Sequence, residues 1–213
     1  MCVIAVSPKG IRQPNESDLH SMWTTNPHGG GYMVARNGRV EIHKGFMTWD
    51  EFIRSVRSEK FTKNDSVVYH FRIATQGGIN PEMSHPFPIT DKDKYLKGLD
   101  IYCPVGIAHN GIIPLTTTVN ETTLSDTALF IKKYLINLIR CPQDIHNYNI
   151  QKMIEELGKS KFALMDSDGN IVTIGKFYDD NGIMLSNTNH WFDWTAYYTE
   201  YYAKGDKKKC TAF

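Results

Sequence analysis

Cysteine is scarce, and the few present suggest no framework. Only Cys2, Cys103, Cys141 and Cys210 occur in 213 residues, with no CxxC pair. None of the eight histidines stands at zinc-finger spacing, so neither a disulfide scaffold nor a metal site is expected, and no cofactor is implied. No apolar run reaches the ~20 residues that span a bilayer, and no secretory leader is apparent, so a cytoplasmic protein without a membrane partner is expected. An excess of one charge is also lacking: 24 Lys and Arg against 23 Asp and Glu leave a formal net charge of +1. That is too little for a nucleic-acid footprint, and the basic run Lys204 to Lys209 reads as a solvated tail. There is no internal repeat and no low-complexity segment. At 41% hydrophobic and 12% aromatic, the chain is ordinary globular material, and one domain over 1–213 is the economical count.

What is present begins at the second residue. Removal of Met1 would give Cys2 a thiol and a free α-amine on one residue, a nucleophile with its own base attached. In model compounds the amine titrates near ~7.7–8.0 and the thiol near ~8.5, so small shifts supply either a thiolate or a neutral amine at neutral pH. A cysteine at position 2 is more often incidental, and other residues must decide.

Three segments do so. His70-Phe71-Arg72-Ile73-Ala74-Thr75-Gln76-Gly77-Gly78 ends a strand-like run in a glycine turn, and His109-Asn110-Gly111 ends another after Val105 to Ala108. Arg72 offers a planar fork of donors that matches a carboxylate in two bonds. The Asn110 amide and the Gly111 N–H form a donor pair suited to a developing oxyanion. Leu124-Ser125-Asp126-Thr127 puts a carboxylate at the start of a helical stretch.

Periodicity places these segments. Val3 to Val6 reads as a buried first strand with Cys2 at its tip. A helix is expected over Ser17 to Trp23, then a break at the glycine cluster Gly29-Gly30-Gly31, which lets backbone pass close to a ligand or another strand. Asn37-Gly38 marks a hairpin, and Thr48 to Glu51 a capping box ahead of Phe52, Ile53 and Val56. Alternation along Ser66 to Ile73 puts His70 and Arg72 on one face, with Phe71 and Ile73 on the other. The Ser125 to Arg140 helix carries an apolar stripe, and a second helix follows with Gly158 as its C-cap. Another hairpin turns at Asp168-Gly169, and Ile183 to Leu185 is a short strand. Strands, then two amphipathic helices, then strands again indicate an α+β class with helices stacked on sheets.

Taken together, Cys2, the Arg72-to-Gly78 run continuing to His85-Pro86, His109-Asn110-Gly111 and Ser125-Asp126-Thr127 resemble the class II glutamine amidotransferases. Their glutaminase domain belongs to the N-terminal-nucleophile hydrolases. The order and spacing of the segments agree as well as the residue types, from Cys2 to about Gly175. The resemblance implies a four-layer αββα sandwich and hydrolysis of the glutamine side-chain amide to glutamate and ammonia through a Cys2 γ-glutamyl thioester. Two positions depart from the pattern. Ile73 stands where the sugar-amidating members commonly have Trp, and Gln76 where they often have His, so neither the ammonia route nor the acceptor is carried over. Such glutaminases are usually joined to a synthase, for which the chain has no length, so a synthase or ligase in trans is the expected partner.

Free glutamine carries a carboxylate and an ammonium, and a selective pocket needs one fixed cation and one fixed anion. Arg72 and Asp126 take those roles. Either residue alone would read as an ion-pair member or an N-cap. Thr75 adds a hydroxyl toward the substrate carboxylate. Asn110 and Gly111 are assigned to the oxyanion. His85 either orders the pocket wall or is a buried scaffold histidine, whereas His70 and His109 read as hydrogen-bonded core residues and His28 as lining the mouth. The aromatic cluster Trp191, Phe192, Trp194, Tyr197, Tyr198, Tyr201 and Tyr202 reads as core packing before it reads as a docking surface. Two rivals stay open: a hydrolase acting on a γ-glutamyl or another amide, including the bile-salt and penicillin type, and a catalytically silent binding module on the same fold.

Overall fold

The computed structural model describes residues 2–74, 78–114 and 124–191. Its class is α+β, as expected, with two sheets paired antiparallel throughout. The first contains β1 (Val3–Ser7), β2 (Gly30–Arg36), β3 (Arg39–Phe46), β4 (Val67–Phe71), β6 (Asp100–Cys103), β10 (Tyr178–Asp180) and β11 (Ile183–Leu185). Their order is β10-β11-β1-β4-β2-β3-β6. The second holds β5 (Phe87–Pro88), β7 (Val105–Asn110), β8 (Lys161–Asp166) and β9 (Ile171–Ile174), in the order β5-β7-β8-β9.

The alternation of β1 sorts its side chains between two cores. Val3 and Ala5 pack with Leu19, Met22 and Trp23 of α1 (Glu16–Thr25) and with Phe52 and Ile53 of α2 (Trp49–Glu59). Ile4 and Val6 face the other way, against Met33, Ile42 and Val68 and, from the second sheet, Ala108, Ala163 and Met165. The far side of the second sheet presents Ile107, Phe162 and Leu164 to Phe130, Ile131, Leu135 and Ile154. Full burial of each such aliphatic or aromatic side chain contributes about 1.5–3 kcal/mol, so both faces of β1 hold Cys2 at the strand's tip.

The elements begin and end for local reasons. Thr48 accepts from the Glu51 N–H while the Glu51 carboxylate accepts from the Thr48 N–H, the expected capping box. Helix α1 starts earlier than periodicity indicated because Asn15 and Asp18 form a second such box. The long helix after Ser125 is not uniform: α4 (Asp126–Phe130) widens into a π-helical turn over Ile131–Leu135 before α5 (Ile136–Leu138). It stops short of the expected Arg140, because Ile139 is extended. The following helix, α6 (Tyr148–Gly158), includes Gly158, and the left-handed cap is Lys159 at φ 45°. Gly158 lies against the Phe162 ring, which leaves no room for a side chain. A short α3 (Asp93–Leu96) precedes β6. No helix among the described residues is long and apolar enough to cross a membrane.

Candidate active site

The two sheets end together at one rim. Val3 pairs with Phe71, so Cys2 and Arg72 both stand just beyond the ladder, while Asn110 ends β7 opposite Lys161. Cys2 is held by the backbone that follows Arg72: its Sγ accepts from the Ile73 N–H at 3.4 Å and its thiol reaches the Ile73 carbonyl at 3.6 Å. Asn187 Nδ2 donates to the Cys2 carbonyl. Burial pushes the Cys2 thiol up, while the Ile73 N–H and the Arg72 charge pull it down.

Arg72 is buried, its backbone held on both sides by Gly29 and His28. Burial lowers its pKa, and the nearby Cys2 and Asp126 oppose that shift, which puts the guanidinium within electrostatic reach of both. His28 Nδ1 accepts from the Ala74 N–H, so this histidine buttresses the Arg72 segment. Asp126 leads α4, its carboxylate accepting from the N–H groups of Ile113 at 3.1 Å and Thr127 at 2.7 Å. Cys2, Arg72, Asp126, Gly111, His85 and His109 all line one small cavity of about 30 Å³.

Adjoining it at Cys2, Ile73, Gly111 and Ile112, a larger cavity of about 690 Å³ opens, with Asn110 and Gly111 in its wall. Asn110 Nδ2 donates to Ser186 Oγ at 2.8 Å, and the same hydroxyl accepts from the Ile4 N–H at 2.9 Å. Gly111 sits at φ +144°, and a Cβ there would lie 1.9 Å from Ser160 Oγ, so this position admits only glycine.

A chain of hydrogen bonds, buried at its histidines and half-buried at Ser160, runs along the cavity walls, and its direction can be assigned. Ser160 Oγ donates to the Asn110 carbonyl at 3.0 Å, and therefore accepts from His109 Nε2–H at 2.8 Å. That leaves His109 Nδ1 a bare acceptor for the Thr127 hydroxyl at 2.9 Å, whose one proton Asp126 Oδ1 also faces at 3.3 Å; with that proton directed to either, Thr127 accepts from His85 Nε2–H at 2.9 Å. His70 Nε2–H donates to the His109 carbonyl at 3.0 Å, and its ring lies 4.4 Å from that of His85. Burial holds all three imidazoles neutral: His70 is pushed down to about 3, His109 to about 4 and His85 well below its usual range. His85 is thus both a wall of the small cavity and a buried scaffold residue.

No protein-family model and no curated protein matches the sequence. A solved structure, described as the allosteric regulatory enzyme of purine biosynthesis, is similar over 78% of this chain, at 18% identity and a TM-score of 0.44. This chain spans 36% of that structure's length. A likeness of that degree carries no functional argument.

Of the expected residues, Cys2, Arg72, His85, Asn110, Gly111 and Asp126 are brought together. Thr75 lies outside the described residues, as do Gln76, Cys210, the tail from 204 and the aromatic cluster beyond Trp191. The sequence named Thr127 without a role for it and pointed to none of Ser160, Ser186 and Asn187. The criterion that singled out Arg72 and Asn110, polar groups where a strand stops, applies equally to Ser186-Asn187 after β11 and would have found them. Ser160 carried no local signal. Among the described residues, no group of three or more His, Cys, Asp or Glu could hold a metal ion.

Proposed function

We propose that this chain is a glutaminase domain of the class II amidotransferase type, a four-layer αββα N-terminal-nucleophile hydrolase that converts glutamine to glutamate and ammonia. The observation that carries it is the convergence around Cys2 of Arg72 and Asp126 in one cavity and Asn110 in the adjoining one, with Gly111 lining both. The three packed cores described above support the layering.

Cys2, freed of Met1, attacks the glutamine side-chain amide, and its α-amine takes the thiol proton and passes it to the departing nitrogen. Asn110 and the Gly111 N–H hold the oxyanion. Water then breaks the thioester, with the amine again as base, and glutamate leaves. Arg72, with the Thr75 hydroxyl, binds the substrate carboxylate. Asp126 binds the ammonium, and His85 shapes the wall between them. Ammonia goes to a separate synthase or ligase chain.

An electrophilic glutamine analogue tests this directly. Peptide mapping should place the adduct on Cys2 alone, Cys2→Ala should lose glutamine hydrolysis, and intact mass should show a mature protein that starts at Cys2. Absence of labelling in protein shown to lack Met1 would leave the silent binding module as the better account.

A further inference from the structure

The small cavity of about 30 Å³ beside Arg72 and Asp126 is assigned to the charged end of the acyl half, and departing ammonia needs nothing like the 690 Å³ of the larger cavity that adjoins it at Cys2, Ile73, Gly111 and Ile112. That volume is of the size that takes a drug-sized or dipeptide-sized molecule. Its walls are mixed. Ile73 and Ile112 are apolar, whereas Lys159, Lys161 and Lys176 supply cations. Glu155 and Glu156 also line it, but the Glu155 carboxylate is engaged by Lys152 at 2.7 Å, and Glu156 acts electrostatically on that same lysine.

Two of the lysines form a cradle. The ammonium groups of Lys161 and Lys176 lie 5.6 and 5.2 Å from the centroid of one ring, Tyr178. Lys161 is further fixed by donating to the Ser186 carbonyl, the residue whose hydroxyl accepts from Asn110. No ion pair engages Lys159, Lys161 or Lys176 among the described residues. Burial lowers the Lys161 pKa, and repulsion from Lys176 adds to the effect. Two like charges held near one ring, neither of them ion-paired among the described residues, are stabilised by an incoming anion.

We propose that this cavity binds the leaving half of the substrate, and that the preferred substrates are γ-glutamyl amides of amines bearing an acidic group, a carboxylate above all. The inference rests on the Cys2 thioester chemistry and changes only what departs. The Cys2 S–C bond forms, the C–N bond breaks, and the thiol proton goes to the amine, which leaves with its acid on the lysines. Water then cleaves the thioester, so the sum is γ-glutamyl amide plus water giving glutamate plus amine.

The test compares γ-glutamylglycine with the neutral γ-glutamylethylamide, which has a methyl in place of the carboxylate, and with glutamine, using the full chain and reading released glutamate. Wild type should favour γ-glutamylglycine over the ethylamide in kcat/KM by about tenfold or more, the scale of a charge-assisted contact. The double variant K161Q/K176Q should bring that ratio toward one, and K176E should lower it further. Equal kcat/KM for the two amides would overturn the proposal. So would equal values accompanied by acceleration of glutamine hydrolysis by inorganic phosphate, which would assign the cavity to an anionic ammonia acceptor. In either case, glutamine turnover would leave the glutaminase assignment standing. Failure to hydrolyse any of the three, with no analogue on Cys2, would remove both.

Discussion

Asn110 Nδ2 donates to Ser186 Oγ at 2.8 Å, joining the end of β7 in one sheet to the end of β11 in the other. Because Ser186 also accepts from the Ile4 N–H, one hydroxyl sets the Asn110 amide and the strand that carries Cys2. Ser186→Ala should therefore lower kcat more than it raises KM, since an oxyanion donor acts in the transition state. Asn110→Ala should cost about 2.7–4 kcal/mol of transition-state stabilisation, a drop of 10²–10³ in kcat. Steady-state kinetics on glutamine with both variants is the measurement, and an unchanged kcat in Asn110→Ala would contradict the assignment.

Charge recognition gives a second expectation. Arg72→Lys keeps the cation but loses the bidentate fork, and it should still impair glutamine use by at least about tenfold, as expected where planar recognition matters. Asp126→Asn should raise KM through the substrate ammonium. Wild-type constants for both variants would refute the pocket.

The thiol itself reports on Arg72. The guanidinium pulls the Cys2 pKa down against the burial that raises it. Arg72→Met should therefore move the pH midpoint of Cys2 alkylation upward. Iodoacetamide labelling followed by mass spectrometry across pH 7–10 measures it, and a midpoint that moves downward would count against that proximity.

The three buried imidazoles make stability depend on acid. Burial depresses their folded pKa values, to about 3 for His70 and about 4 for His109, with His85 also well below its usual range. Unfolded histidines titrate near ~6.5, so between those limits the unfolded chain binds more protons and stability rises with pH. The contribution is complete above ~6.5 and is lost as pH falls toward 4, with a slope approaching about 1.4 kcal/mol per pH unit for each histidine. Urea midpoints at pH 7, 6 and 5 should fall steeply, and a flat series would mean that the histidines are not buried neutral.

Much of the architecture was readable residue by residue. Asn37-Gly38 and Asp168-Gly169 turned two hairpins where expected, and alternation put His70 and Phe71 on opposite faces, of which the structure turns His70 toward the second sheet and Phe71 toward the helices. The expected elements differed at helix ends, and β5, α3, β6 and β10 had not been expected at all. Asn15 rather than Ser17 set the start of α1, and the packing of Gly158 on Phe162 moved a cap by one residue. Such boundaries depend on neighbours that local periodicity does not contain.

Composition and order along the chain settled the α+β class and pointed to the residue types of the candidate site, because strand and helix periods and strand-end polar groups are local properties. Tertiary structure alone decided which of them meet. Cys2, Arg72, Asn110 and Ser186 come from four strand ends in two sheets, joined by register and by the packing of Ile4 and Val6 against Ala108 and Ala163. The relay through His85, Thr127, His109 and Ser160 was equally hidden, because its members lie 18 to 51 residues apart along the chain. Hydrogen-bond direction follows from three-dimensional neighbours: only with Ser160 committed to the Asn110 carbonyl does each histidine have one tautomer left.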